Sequence, residues 1–173
     1  AINIKSDFFE AYLNRGNSLK ELNQLESAIK NYDKAIKLKP DYAEAYNNLG
    51  LIQLELKKTN VAIKSFDKAI EFNSNYSHAY NNRGNALLEN KLITEAITNY
   101  DKAIAIEDKF FEAYYNRGIA LNEIKNFKAA IENYNKVIEI EPNYVNAHLN
   151  KGNSLRRLKL FDKALESYEK AMK

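Results

Sequence analysis

Cysteine is absent from this chain, so it can form no disulfide, offer no thiolate to a metal and supply no cysteine nucleophile. That suits a reducing compartment, and a cytoplasmic location is the expectation. No run reaches the roughly 18 apolar residues that a membrane span requires. The opening Ala-Ile-Asn-Ile-Lys-Ser-Asp-Phe does not read as a signal peptide. There is no glycine-rich phosphate loop, no nucleophile elbow and no histidine pair at helical spacing. No catalysis, no cofactor and no metal site are therefore expected. Charge of one sign is lacking too: Lys+Arg 26 stand against Asp+Glu 23, a net charge of +3. The two signs interleave along the chain, the pattern of a solvated surface rather than of a nucleic-acid footprint, so no nucleic-acid partner is expected.

Glycine and proline are scarce, and their placement is regular. The five glycines are Gly16, Gly50, Gly84, Gly118 and Gly152, each 34 residues from the next. Equal spacing means one structural unit repeated without insertion or deletion. The neighbours repeat as well. Four residues before each glycine stands Tyr12, Tyr46, Tyr80, Tyr114 or His148. Twelve after it stands Ala28, Ala62, Ala96, Ala130 or Ala164, then Tyr32, Phe66, Tyr100, Tyr134 or Tyr168. The two prolines, Pro40 and Pro142, occupy the same slot in a turn signal between units.

Each unit predicts two helices. Ala45, Tyr46, Leu49, Ile52 and Leu56 fall on one helical face, and Val61, Ala62, Ile63, Phe66, Ala69 and Ile70 on another. Asp41 with Glu44, and Asp7 with Glu10, match the capping-box spacing. Gly50 and Ala62 are expected to face each other where the helices of a unit cross, and Ala69 to admit the next unit's first helix. One such unit cannot bury its own apolar face, so the core must come from stacking neighbours.

Aromatic, Gly, Ala, aromatic, Ala and Pro at positions 4, 8, 20, 24, 27 and 32 resemble the tetratricopeptide repeat family. The resemblance implies an all-α, right-handed superhelical solenoid of about five helix-turn-helix units. Counted in its register, the repeats are 9–42, 43–76, 77–110, 111–144 and an incomplete, uncapped 145–173, preceded at 1–8 by the end of a truncated repeat. The chain departs from the family in two ways. Position 7 is Arg15, Arg83, Arg117 and Lys151, with only Leu49 regular. Where the family's internal turn has glycine, Asn23, Lys57, Lys91, Lys125 and Lys159 stand instead, leaving those turns weakly encoded.

In this family the first helix of each repeat lines a concave groove that binds a protein or an extended peptide. Position 6 of that groove is asparagine in every repeat: Asn14, Asn48, Asn82, Asn116 and Asn150. An asparagine amide both donates and accepts, so it suits a peptide backbone of any sequence; alternatively it caps or bridges neighbouring helices. Asn47, Asn81 and Asn85 add polar groups, while Leu51, Leu54, Leu88, Tyr115 and Ile119 suggest an apolar patch in the middle repeats. His148, in an aromatic slot, reads as a packing residue. The resemblance implies a non-catalytic interaction scaffold. A second reading is the substrate-recognition arm of a larger enzyme, since the asparagine ladder is similar to that of O-linked N-acetylglucosamine transferases. A third is a self-assembling module, with end-to-end or swapped association through Leu165, Tyr168 and Met172 of the last helix.

Overall fold

The computed structural model describes residues 3–172, with side chains from Phe8 onward. Ala1, Ile2 and Lys173 lie outside the described residues, and with them part of the segment 1–8 read as the end of an earlier repeat. The described residues form ten helices and no strand. These are α1 (Asn3–Glu21), α2 (Leu25–Leu38), α3 (Ala43–Glu55), α4 (Thr59–Phe72) and α5 (Ser77–Glu89). There follow α6 (Ile93–Ile106), α7 (Phe111–Glu123), α8 (Phe127–Ile140), α9 (Val145–Arg157) and α10 (Phe161–Ala171). The chain divides into two compact units, Ala1–Ala86 and Leu87–Lys173, the boundary falling within α5. In the first unit α1 packs on α2, α3 on α4, and α2 on α3. In the second, α7 packs on α8, α9 on α10, and α6 and α8 on the first helix that follows each. Consecutive first helices also touch, α1 with α3 and α7 with α9.

The internal turns close by one device, used five times. Asn23, Lys57, Lys91, Lys125 and Lys159 all have positive φ, between 57° and 64°, and no glycine does. In each turn the left-handed residue donates its N–H to the carbonyl three residues back, and the next residue donates to the carbonyl five back. For α3 these are Lys57 N to Leu54 O at 2.9 Å and Lys58 N to Gln53 O at 2.8 Å. This pair of bonds is the Schellman motif, which satisfies the last carbonyls of a helix. The positions where the family has glycine thus keep glycine's conformation without its freedom from Cβ strain.

Helix starts differ from the sequence reading. The capping-box pattern places an N-cap at Asp41, but the N-cap of α3 is Tyr42, whose side chain makes no capping bond. Tyr144 and Phe110 take the same place before α9 and α7. An aromatic here is anchored by packing: Tyr42 meets Phe9 edge-on at 5.0 Å, and Tyr144 meets Tyr115 at 5.2 Å. Asp7 lies inside α1, which is continuous from Asn3 and shows no turn where the alignment with Pro40-Asp41 placed one.

The repeated glycines admit aromatic rings. A Cβ built on Gly50 would stand 2.6 Å from Cε1 of Phe66, and one on Gly118 would stand 2.6 Å from Cε1 of Tyr134. Gly16 and Gly152 meet Tyr32 and Tyr168 in the same way. The nearest neighbour of Gly50 is therefore the ring four residues beyond Ala62, not Ala62 itself. Three of these rings, Tyr32, Phe66 and Tyr134, are fully buried. The alanines perform the expected task one layer further on. Ala28 and Ala35 of α2 share a core with Ala45, Leu49 and Ile52 of α3, and Ala130 and Val137 of α8 with Ala147 of α9.

Two predictions follow from these geometries. Removing the Cβ at a left-handed position relieves roughly 1–2 kcal/mol of strain and returns about 0.4–1 kcal/mol to the unfolded chain. Lys125→Gly and Lys159→Gly are each expected to raise stability by about 0.5–1 kcal/mol in urea unfolding, where lysine-to-alanine controls do not. At the glycine, Gly50→Ala gains about 1 kcal/mol of helix propensity and loses about 1–3 kcal/mol to the displaced ring. In a Phe66→Ala background only the gain remains, so Gly50→Ala should there become stabilising. Additive effects in that double-mutant cycle would refute the ring contact.

Candidate functional site

The asparagines at position 6 sit on the first helices α1, α3, α5, α7 and α9. Asn14 is exposed; Asn48, Asn82, Asn116 and Asn150 are half-buried. Asn48, Asn82 and Asn150 reach across to the preceding repeat. Asn48 Nδ2 donates to Asn17 Oδ1 at 3.0 Å, and Asn82 Nδ2 donates to Asn47 Oδ1 at 2.9 Å. Asn150 Nδ2 donates to the Tyr115 hydroxyl at 3.0 Å. The bridging role is thus present, and it uses one N–H of each amide.

The acceptors of those bonds form a second layer. Asn47 is 3% exposed and Asn81 6% exposed, which withdraws both from a ligand-facing surface. Tyr115 packs against Tyr134 and Tyr144. The apolar patch expected from Leu51 and Leu54 turns inward: both are partly buried against Ala62, Phe66 and Ala86. Asn85, Leu88 and Ile119 are half-buried on their helices.

A requirement absent from the sequence reading explains several of these asparagines. The aromatic of position 24 is buried in the first four repeats and half-buried as Tyr168 in the fifth, and a buried tyrosine hydroxyl must be satisfied. Tyr32 donates to Asn17 Oδ1 at 2.8 Å, and Tyr168 donates to Asn153 Oδ1 at 2.9 Å. In α7 position 9 is Ile119, and the partner comes from position 12 instead: Asn122 Nδ2 donates to the Tyr134 hydroxyl at 2.9 Å. Ser154 of α9 donates in turn to Asn122 Oδ1 at 2.9 Å. Where position 24 is Phe66, position 9 is the apolar Leu51. The signal was available in the sequence as this pairing of Asn with Tyr and Leu with Phe. His148 is structural as expected, buried with Nε2 2.9 Å from Pro142 O.

The electrostatics follow from burial. The Tyr32 phenol is pushed up from 10.0 to about 12, first by burial and then by the negative charges of Glu21 and Glu44. Tyr134 is raised by burial, and the hydrogen bond from Asn122 partly opposes this. Position-7 arginines do not point along the asparagine face. Arg83 pairs with Asp67 at 2.8 Å, and Arg117 pairs with Asp101 while its Nε donates to Asn133 Oδ1 at 2.7 Å. Beside the asparagines of the second unit, a cavity of about 290 Å³ lies between α7 and α9, bounded by Asn122, Glu123, Asn153 and Arg157. Among the described residues no acidic or histidine cluster is arranged to hold a metal, and no helix is long and apolar enough to cross a membrane.

Comparison with known proteins gives a consistent result. A family profile described as TPR repeat matches residues 16–57 and 93–124. Profiles described as tetratricopeptide repeat match residues 111–144, residues 43–76 and 145–173, and residues 65–98. Together the matches run without a gap from residue 16 to residue 173. A comparison with curated proteins finds no match. Among solved structures, MamA protein is 26% identical with a TM-score of 0.83, covering 96% of this chain and 91% of that one. YrrB, described as a TPR protein with an unusual peptide-binding site, is 26% identical with a TM-score of 0.75, covering 93% of this chain and 83% of that one. Pseudomonas aeruginosa PilF is 20% identical with a TM-score of 0.90, covering 97% and 77%, and its likeness speaks for the fold alone.

The raised phenol has a consequence for stability. A folded-state value above the ordinary 10.0 means that the native state holds the proton more tightly than the unfolded chain does. The stabilisation is complete below 10.0 and is lost as pH rises toward about 12. Urea unfolding at increasing pH through this window should show stability falling, and Tyr32→Phe should fall less steeply. An identical slope in the variant would show that Tyr32 ionises freely.

Proposed function

Because the chain belongs to the tetratricopeptide repeat family, we propose that it is a non-catalytic interaction scaffold whose asparagine-bearing first helices hold an extended peptide segment of a partner protein. The observation that carries this is the asparagine at position 6 of all five repeats. Asn82 and Asn150 each commit one N–H to the repeat before, which orients the amide and leaves its carbonyl and second N–H for a ligand. Packed first helices stand about 8–10 Å apart, and an extended strand advances about 3.3 Å per residue. Within each compact unit, every third backbone group of a peptide would then meet one asparagine. The likeness to YrrB, a TPR protein with an unusual peptide-binding site, supports the same reading.

A specific observation also favours self-association. In the first repeat, Asn17 Oδ1 accepts from Tyr32 and from Asn48 of the following repeat. In the last, Asn153 Oδ1 accepts from Tyr168. An exposed Asn14 of a second copy would donate to that oxygen as Asn48 does to Asn17, with the exposed Leu165 and Met172 alongside. Sedimentation across a range of concentrations tests this, and Asn14→Ala should weaken any association found.

The peptide reading is best tested on the ligand, because Asn82→Ala also removes a bridge between repeats and should cost about 1 kcal/mol of stability by itself. Peptides selected from a displayed 12-residue library for binding the chain are to be resynthesised with single backbone N-methylations. The expected result is a loss of about fivefold or more at every third residue, the worth of one hydrogen bond. Uniform indifference to N-methylation would overturn backbone recognition.

A further inference from the structure

The seam between one repeat's second helix and the next repeat's first helix is braced in the same way twice. An arginine at position 7 reaches an aspartate at position 25 of the repeat before: Arg83 to Asp67, and Arg117 to Asp101. At the corresponding seam between α8 and α9 the two residues are Lys151 and Asn135. Both exchanges undo the brace. An amide offers no charge, and an ammonium lacks the planar fork that fits a carboxylate. Lys151 makes no ion pair among the described residues. It is half-buried, and burial together with the nearby Lys170 holds its ammonium below the ordinary lysine value, against the weaker opposing pull of Glu166.

A cavity of about 500 Å³ occupies this seam. Its volume lies within the range of small-molecule sites, roughly 300–1,000 Å³. Ile131, Leu155 and Leu158 give it an apolar wall. Four lysines line it, Lys128, Lys163 and Lys170 joining Lys151, against two glutamates, Glu132 and Glu166. Glu166 is already engaged by Lys170 at 2.9 Å. The balance is cationic beside an apolar wall, and the amide of Asn135 leaves this seam without the carboxylate that the two braced seams have.

We propose that this cavity binds a small organic carboxylate, its charged head at Lys151 where the other seams place an aspartate, and its apolar stem against Ile131, Leu155 and Leu158. This site is separate from the asparagine face and does not depend on it. Bound there, the ligand would complete the brace between the fourth and fifth repeats, so occupancy would stiffen that seam. Neither requirement is met by half a ligand: charge without a stem leaves the apolar wall wet, and a stem without charge leaves Lys151 unpaired.

The test uses octanoate, with octanol and inorganic phosphate as the stem and the charge alone. Calorimetry is paired with lysine side-chain resonances of the isotopically labelled chain. Octanoate is expected to bind one-to-one and to move the Lys151 side-chain signal, with octanol and phosphate binding at least about tenfold more weakly. Lys151→Met should lose about tenfold in octanoate affinity. The double variant Asn135→Asp with Lys151→Arg rebuilds the brace seen at the other two seams. It should melt higher and bind no octanoate, with circular dichroism confirming that both variants fold. The proposal fails if octanoate leaves the Lys151 signal unmoved, or if octanol or phosphate binds as tightly. It fails equally if either variant retains full affinity. The resonance measurement on the unaltered chain stands even if a variant does not fold.

Discussion

A helix pair in this protein closes only because a residue without a side chain faces an aromatic ring. The Cβ positions of Gly50 and Gly118 are occupied, in effect, by the Phe66 and Tyr134 rings. That contact sets how near the two helices lie, and the buried alanines of the second helix then admit the next first helix. Interiors packed at crystal-like density transmit such constraints from layer to layer. The glycines here serve proximity, while the left-handed turn positions that usually call for glycine are filled by asparagine and lysine.

The buried ring brings a polar obligation with it. A tyrosine hydroxyl inside the core needs a partner, and asparagines on the first helices supply one to Tyr32 and Tyr134, and to the half-buried Tyr168 as well. The same asparagines receive bonds from the following repeat, as Asn17 does from Asn48 and Asn122 from Ser154. Stability and the candidate binding face are therefore built from one network. The position-6 amides are oriented by their structural bonds, and an oriented amide loses less freedom on meeting a ligand.

Charged braces join a first helix to the second helix before it. They show how near-identical repeats can differ in chemistry. Arg83 and Arg117 find aspartates, Leu49 offers no charge to Asp33, whose carboxyl is raised by burial, and Lys151 meets an amide. One or two substitutions within a constant scaffold thus produce a closed seam in one place and a lysine-lined cavity in another.

The repeat length, the pairing of helices, the buried alanines and the identity of the five turn residues are legible in the sequence. Each is a local pattern or a strict period, and a period survives in one dimension. The packing role of His148 was legible for the same reason, since it occupies an aromatic slot. The partners of the polar side chains were not. Tyr32 and Asn17 are 15 residues apart, Arg117 and Asn133 are 16, and Asn82 and Asn47 are 35, separations at which spacing alone does not say which atoms meet. The N-cap at Tyr42 rather than Asp41 was decided by an aromatic contact with α1, and the inward turn of Leu51 and Leu54 by the ring of Phe66. Composition and period determined the scaffold. Which asparagines support it, which remain for a ligand, and where a seam stands open were decided only when the helices packed, because each depends on what a neighbouring repeat places within a few ångströms.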